Sequence, residues 1–206
     1  MRIAEVFGQE KLPVSFEVFP PKGDLPVDQA RSVIAGLAPL SPSFVSVTCS
    51  AGGSGNSSNT VDVARMAHDE FDITTMVHLT CMGATEATIE ESLAATEEAG
   101  LENVLALRGD PVPGREPIDF QFAKDLIPFV RERGFCVGAA AYPEGHVACL
   151  DFATSIEHLK QKQDAGAEFF VTQLFFDNEQ GLRFLDAARA AGITVPITLG
   201  IMPFMS

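Results

Sequence analysis

Short apolar runs recur along the chain at nearly even intervals, beginning near Val14, Phe44, Thr75, Asn103, Cys136, Glu168 and Val195. Successive starts lie 27 to 33 residues apart, close to the ~30 residues of a β-α-β unit. Between them the spacing turns helical: Phe120, Ala123, Ile127 and Val130 share one face, as do Phe152, Ile156 and Leu159. Four helical segments run into a glycine just before the next strand, at Gly100, Gly134, Gly166 and Gly192, as suits the left-handed position after a helix. Alternating units with short connections predict a parallel sheet, open or closed into a barrel. Seven evenly spaced strands with no shift in composition favour an α/β chain of the (β/α)8 TIM-barrel type. On that reading residues 1–206 form a single domain, with the eighth strand missing.

In parallel α/β folds the carboxyl ends of the strands are where ligands bind, so those ends carry the candidate chemistry. The stretch Asn103–Pro111 is an apolar run that stops in Arg108, Gly109, Asp110 and Pro111. Arginine favours phosphate or carboxylate, glycine admits a ligand close to the backbone, and aspartate can orient a heterocycle. A strand followed by an ordinary polar turn explains this segment equally well. The first strand places Glu17 among apolar neighbours and ends at Pro20, Pro21 and Lys22. Desolvation there raises a carboxyl pKa and makes a general acid; the competing reading is a carboxylate neutralised by a core partner.

The second strand runs into Thr48-Cys49-Ser50-Ala51-Gly52-Gly53-Ser54-Gly55, a loop able to wrap a cofactor. It matches neither GxGxxG nor the P-loop, and a flexible surface loop explains it as well. His78 and Cys81 close the third strand, and Tyr142 and His146 follow the fifth. A zinc site is disfavoured, because strand residues three apart point to opposite faces. The sixth run, Phe169–Asp177, holds one amide, Gln173, in otherwise apolar surroundings. A buried amide there needs partners from a ligand or from neighbouring backbone.

Composition narrows the partners. With 206 residues, 46% of them hydrophobic, the chain can bury one substantial core. Fourteen basic against 28 acidic residues leave a net charge of -14, which repels a phosphate backbone and argues against nucleic acid. No apolar run approaches the ~20 residues of a membrane span, and Met1 to Lys11 lacks the apolar core of a signal peptide. The four cysteines form no CxxC pair, which fits reduced thiols in a cytoplasmic protein.

Taken together, the strand ends resemble a known family. Ser-Phe-Glu-Val-Phe-Pro-Pro-Lys, Val-Thr-Cys-Ser-Ala-Gly-Gly-Ser, His-Leu-Thr-Cys, Ala-Leu-Arg-Gly-Asp-Pro, Ala-Ala-Tyr-Pro-Glu-Gly-His and Thr-Gln-Leu-Phe-Phe-Asp are similar to the motifs of methylenetetrahydrofolate reductases, in order, from about Pro13 to Pro203. The resemblance implies a flavoprotein barrel with FAD at the carboxyl ends of its strands. It would take hydride from NADH or NADPH and pass it to 5,10-methylenetetrahydrofolate, giving 5-methyltetrahydrofolate for methionine biosynthesis. By motif position Glu17 is the acid that protonates the folate and opens its five-membered ring. Asp110 stands near both the flavin and the pterin, and Gln173 is the amide shared by folate and nicotinamide. Thr48, His78, Leu107, Arg108, Gly109, Tyr142, His146 and Lys162 match positions around the flavin. A homo-oligomer is implied as well.

Two departures stand out against that family. The loop begins Thr-Cys-Ser where Thr-Tyr-Gly is usual, and Ser155 replaces an aspartate that contacts FAD. The family's barrel also continues past Pro203, so the resemblance implies a barrel incomplete at its C-terminus and inactive alone. The alternative it leaves is a non-catalytic flavin-binding remnant or subunit that needs a second chain to complete the barrel.

Overall fold

The computed structural model describes residues 1–10, 12–21, 27–49, 58–110, 116–146, 149 and 151–202. Lys22, the glycine-rich stretch Ser50–Gly55, Pro111 and Pro203 lie outside them. Seven strands form one sheet: β1 (Ser15–Val18), β2 (Phe44–Val47), β3 (Thr75–Thr80), β4 (Asn103–Leu107), β5 (Cys136–Ala141), β6 (Phe169–Thr172) and β7 (Ile197–Thr198). They pair in sequence order, and every pair is parallel. Helices α2 (Asp28–Leu37), α3 (Ser58–Phe71), α4 (Glu86–Glu98), α5 (Ala123–Glu132), α6 (Phe152–Asp164) and α7 (Asn178–Ala190) alternate with the strands. This is the curled wall of a TIM-type barrel. Four strands begin where the apolar runs begin, at Phe44, Thr75, Asn103 and Cys136, and all four helix-ending glycines have positive φ.

Alternation along the strands divides the core in two. Outward residues such as Val45, Val47 and Val77 pack against Ile34, Val63 and Ala67 of α2 and α3. Leu79, Val104, Val137 and Ala139 likewise meet Ile89, Leu126 and Leu159 of α4 to α6. On the opposite face, near the strand starts, Phe44, Met76, Leu105, Cys136 and Phe169 form a separate buried cluster. That cluster is closed by α1 (Ile3–Gln9), which contributes Ile3 and sets Phe7 against the rings of Phe44 and Phe169. Asn103 ties the plug to the sheet, accepting from Ile3 N (2.7 Å) and donating to the carbonyls of Met1 and Thr75 (3.0 Å each).

Three details differ from the sequence pattern. Phe120 packs in the core but precedes α5, so it seats the loop rather than the helix. The sixth strand stops at Thr172, whose hydroxyl accepts from Gly200 N (2.8 Å) in place of a longer ladder. The seventh is two residues long instead of the whole Val195–Ile201 run. No helix among the described residues is long and apolar enough to cross a membrane.

Candidate active site

Two groups of side chains gather at the carboxyl ends of the strands. The first lies on β1 to β3. Glu17 and Ser46 are register partners on adjacent parallel strands, so their side chains emerge side by side. Ser46 Oγ lies 2.6 Å from His78 Nε2, and the same nitrogen lies 3.7 Å from Glu17 Oε2. His78 is buried, and that burial lowers its pKa to about 4. It is therefore neutral near pH 7 and forms no ion pair with Glu17. Glu17 is 48% exposed, yet burial of its surroundings still raises its pKa. The carboxyl thus sits where it can hold a proton and also reach a ligand. Ser46 was not singled out from sequence; its only signal is that it lies two residues before Thr48, on the same strand face.

The second group surrounds a cavity of about 210 Å³ across the ends of β4 and β5, beside α5 and α6. Leu107, Arg108, Tyr142, His146 and Lys162, all expected near a cofactor, line it together with Ser155. Lys162 donates to the Ala140 carbonyl (2.7 Å) and its ammonium lies 5.4 Å from the Tyr142 ring centre. Burial lowers the Lys162 pKa to about 8. Tyr142 and His146 stack edge to face at 4.7 Å. The His146 pKa is lowered by burial first and then by the charges of Arg108 and Lys162. The sequence reading missed the far wall, where Phe122, Lys124, His158, Gln161 and Phe184 stand. Helical spacing marked Phe120, Ala123, Ile127 and Val130 and then Phe152, Ile156 and Leu159 as apolar faces, with nothing to show a gap between them.

The remaining candidates fall around these two groups. Among the described residues Thr48 Oγ1 is buried without a hydrogen-bond partner, the state of a group that a ligand would satisfy. Gly109 has φ +83°, and a Cβ there would meet Thr80 Cβ at 3.2 Å, so a side chain would be both strained and tightly placed. Asp110 is exposed and acts electrostatically on Cys49, Tyr142 and His146, which places it between the groups. Gln173 corrects the expectation of a buried amide. It is exposed beyond the end of β6, and its Oε1 accepts from Leu174 N (3.0 Å). Cys81 packs in the outer core, away from the His78 face.

The family model described as Methylenetetrahydrofolate reductase matches residues 2–206. Methylenetetrahydrofolate reductase 1 of Schizosaccharomyces pombe is 39% identical over 206 residues, 96% of this chain and 34% of the yeast protein. The 5,10-methylenetetrahydrofolate reductase of Escherichia coli K12 is 38% identical over 202 residues, 98% of this chain and 67% of the bacterial one. The chain therefore spans about a third of the yeast relative's length. Among solved structures, a Clostridium thermocellum protein that binds two copies of 5-methyl-5,6,7,8-tetrahydrofolic acid has a TM-score of 0.65 at 15% identity, covering 95% of this chain and 67% of that one. Phosphonopyruvate hydrolase, in complex with oxalate and Mg++, has a TM-score of 0.68 at 13% identity, covering 96% and 70%. At those identities the structures speak for the fold, while the family match and the close relatives speak for descent. The chain belongs to the methylenetetrahydrofolate reductase family.

Proposed function

We propose that residues 1–206 form the FAD-binding catalytic barrel domain of a cytoplasmic enzyme that reduces 5,10-methylenetetrahydrofolate to 5-methyltetrahydrofolate with NAD(P)H. One observation carries the reading: Glu17, a carboxyl with a raised pKa, stands at a strand end beside a neutral histidine. Opening the folate's five-membered ring needs a proton on the departing nitrogen, and a raised pKa favours the protonated carboxyl that would supply it. NADH is favoured as hydride donor, because a maize relative, 35% identical, is named Methylenetetrahydrofolate reductase (NADH) 1. Free cysteines, two of them buried in the core, support a reducing compartment.

The donor set fits a flavin dinucleotide. Arg108, His146 and Lys162 bring cationic or donating groups to one cavity, as a diphosphate requires. Leu107, Tyr142 and Phe184 supply apolar wall, and the unpartnered Thr48 hydroxyl and the bare Gly109 offer close approach. At about 210 Å³ the cavity takes one end of such a ligand, below the ~300–1,000 Å³ of a whole ligand cleft. When bound, FAD supplies two-electron hydride carriage between nicotinamide and folate. Asp110 places a negative charge where cationic character develops on the folate. Gln173 is exposed, and with its Oε1 on Leu174 N its amide NH2 would be the end offered to either substrate. Ser155 offers a short neutral hydroxyl where the family usually has a carboxylate, so we expect FAD to be held weakly.

Absorbance spectroscopy of the purified protein, its barrel completed with the end of a related reductase and reconstituted with FAD, tests the proposal. The expected result is a flavin spectrum that bleaches on anaerobic NADH addition and recovers on adding 5,10-methylenetetrahydrofolate. Failure to retain flavin, or retention of FMN in preference to FAD, would overturn it.

A further inference from the structure

The Glu17–His78–Ser46 arrangement contains a residue that neither the motifs nor the family match single out. Ser46 is buried within β2, directly beside Glu17 in the sheet register. His78 Nε2 is shared by two possible partners at unequal distances, 2.6 Å to Ser46 Oγ and 3.7 Å to Glu17 Oε2. A neutral ring nitrogen has either one proton or one lone pair. When Nε2 carries the ring proton, the shorter contact, with the Ser46 hydroxyl, takes it. Glu17 is then left beside an imidazole that does not donate to it.

We propose that Ser46 is a positioning residue for Glu17: by engaging His78 Nε2 it keeps the imidazole from hydrogen-bonding the carboxylate, and so leaves Glu17 able to carry a proton. The inference rests on the role of Glu17 proposed above. Physically, a donor aimed at a carboxylate favours the charged form and lowers its pKa, which would weaken the acid's hold on its proton. The directions of shift agree, since Glu17 lies above its ordinary range and burial is its resolved cause. Burial is likewise the resolved cause at His78. Among the described residues, the titratable groups with a resolved interaction at this corner are Cys49 after β2 and, through it, Asp110 after β4. The Cys49 thiol, hydrogen-bonded to Thr80, is itself pushed up by burial and by the charges of Asp110 and Glu17.

Two readouts test the proposal on Ser46→Ala, with Ser46→Thr as the variant that keeps the hydroxyl. Carboxyl-carbon NMR of the protein without added ligand should show the Glu17 pKa falling by about one unit in Ser46→Ala and holding in Ser46→Thr. In the flavin-loaded protein, the alkaline limb of the folate half-reaction should move about one unit to lower pH, with about tenfold loss of rate above it. Flavin reduction by NADH should stay within about twofold, because that step needs no proton from Glu17. An unchanged Glu17 titration in Ser46→Ala would overturn the proposal, as would equal slowing of both half-reactions. A shifted titration in a protein that reduces no folate would support the coupling and overturn the assigned reaction instead.

Discussion

The same strand faces do opposite work at their two ends. Near its start, β2 points Phe44 inward, and two residues on it presents Ser46, then Thr48. On β3 Met76 gives way to His78 and Thr80 in the same two-residue steps. The lower set is sealed by Phe7 and Ile3 of α1 and joined by Cys136 and Phe169. The upper set holds Glu17, Ser46, Thr48 and His78. A TIM-type wall separates stability from chemistry by position along one strand. Here the change takes about two residues, so neighbouring inward positions should respond to mutation in unrelated ways.

The largest expected effect lies at the upper end. Glu17→Gln keeps the size of the side chain and removes the acid, so steady-state folate reduction should fall by roughly 10²- to 10⁴-fold, the usual contribution of a positioned acid. Its melting temperature should stay close to that of the parent. Comparable loss of fold and activity would make Glu17 a structural residue and break the comparison.

The lower end should invert that pattern. Phe169 is fully buried and packs on Phe7. Phe169→Ala should destabilise by about 3–5 kcal/mol in a denaturant titration. Below its melting transition the variant should keep its Glu17-dependent pH profile. A displaced pH profile at retained fold would show that the two ends are coupled.

The smallest effect concerns Lys162, whose pKa burial lowers from 10.5 to about 8. The unfolded chain holds that proton more tightly, so this group makes the free protein more stable as pH rises from about 8 towards 10.5. A bound diphosphate favours the ammonium, so dinucleotide affinity should weaken over the same interval. Lys162→Met should remove both trends and reduce FAD affinity roughly tenfold, the low end for a charge-assisted hydrogen bond. Melting curves and flavin fluorescence titrations across that range read the two trends separately.

Much of the fold was legible because a parallel strand buried on both faces is a plain apolar run. The run starts at Phe44, Thr75, Asn103 and Cys136 needed no correction. The ends were less legible. Leu174, Phe175 and Phe176 continue the sixth run in sequence, yet they follow the strand, and Phe176 is 58% exposed. That is why Gln173 looked buried and is not. Helix α1 was invisible because seven residues without a side-chain cap carry no helical signature, and only the closed core shows its purpose. The candidate site was read from types and order: Arg108, Tyr142, His146 and Lys162 do share a cavity. Ser46 could not be read, since a serine between two valines resembles any polar strand residue until its neighbour His78 is seen.

A steady-state loss in Glu17→Gln does not say which half of the reaction failed. The most direct measurement is therefore the flavin absorbance of that variant, followed anaerobically by stopped flow through both half-reactions. The account predicts bleaching by NADH at nearly the parent's rate, and no recovery when 5,10-methylenetetrahydrofolate is added. Recovery at the parent's rate, or bleaching slowed as much as recovery, would contradict it.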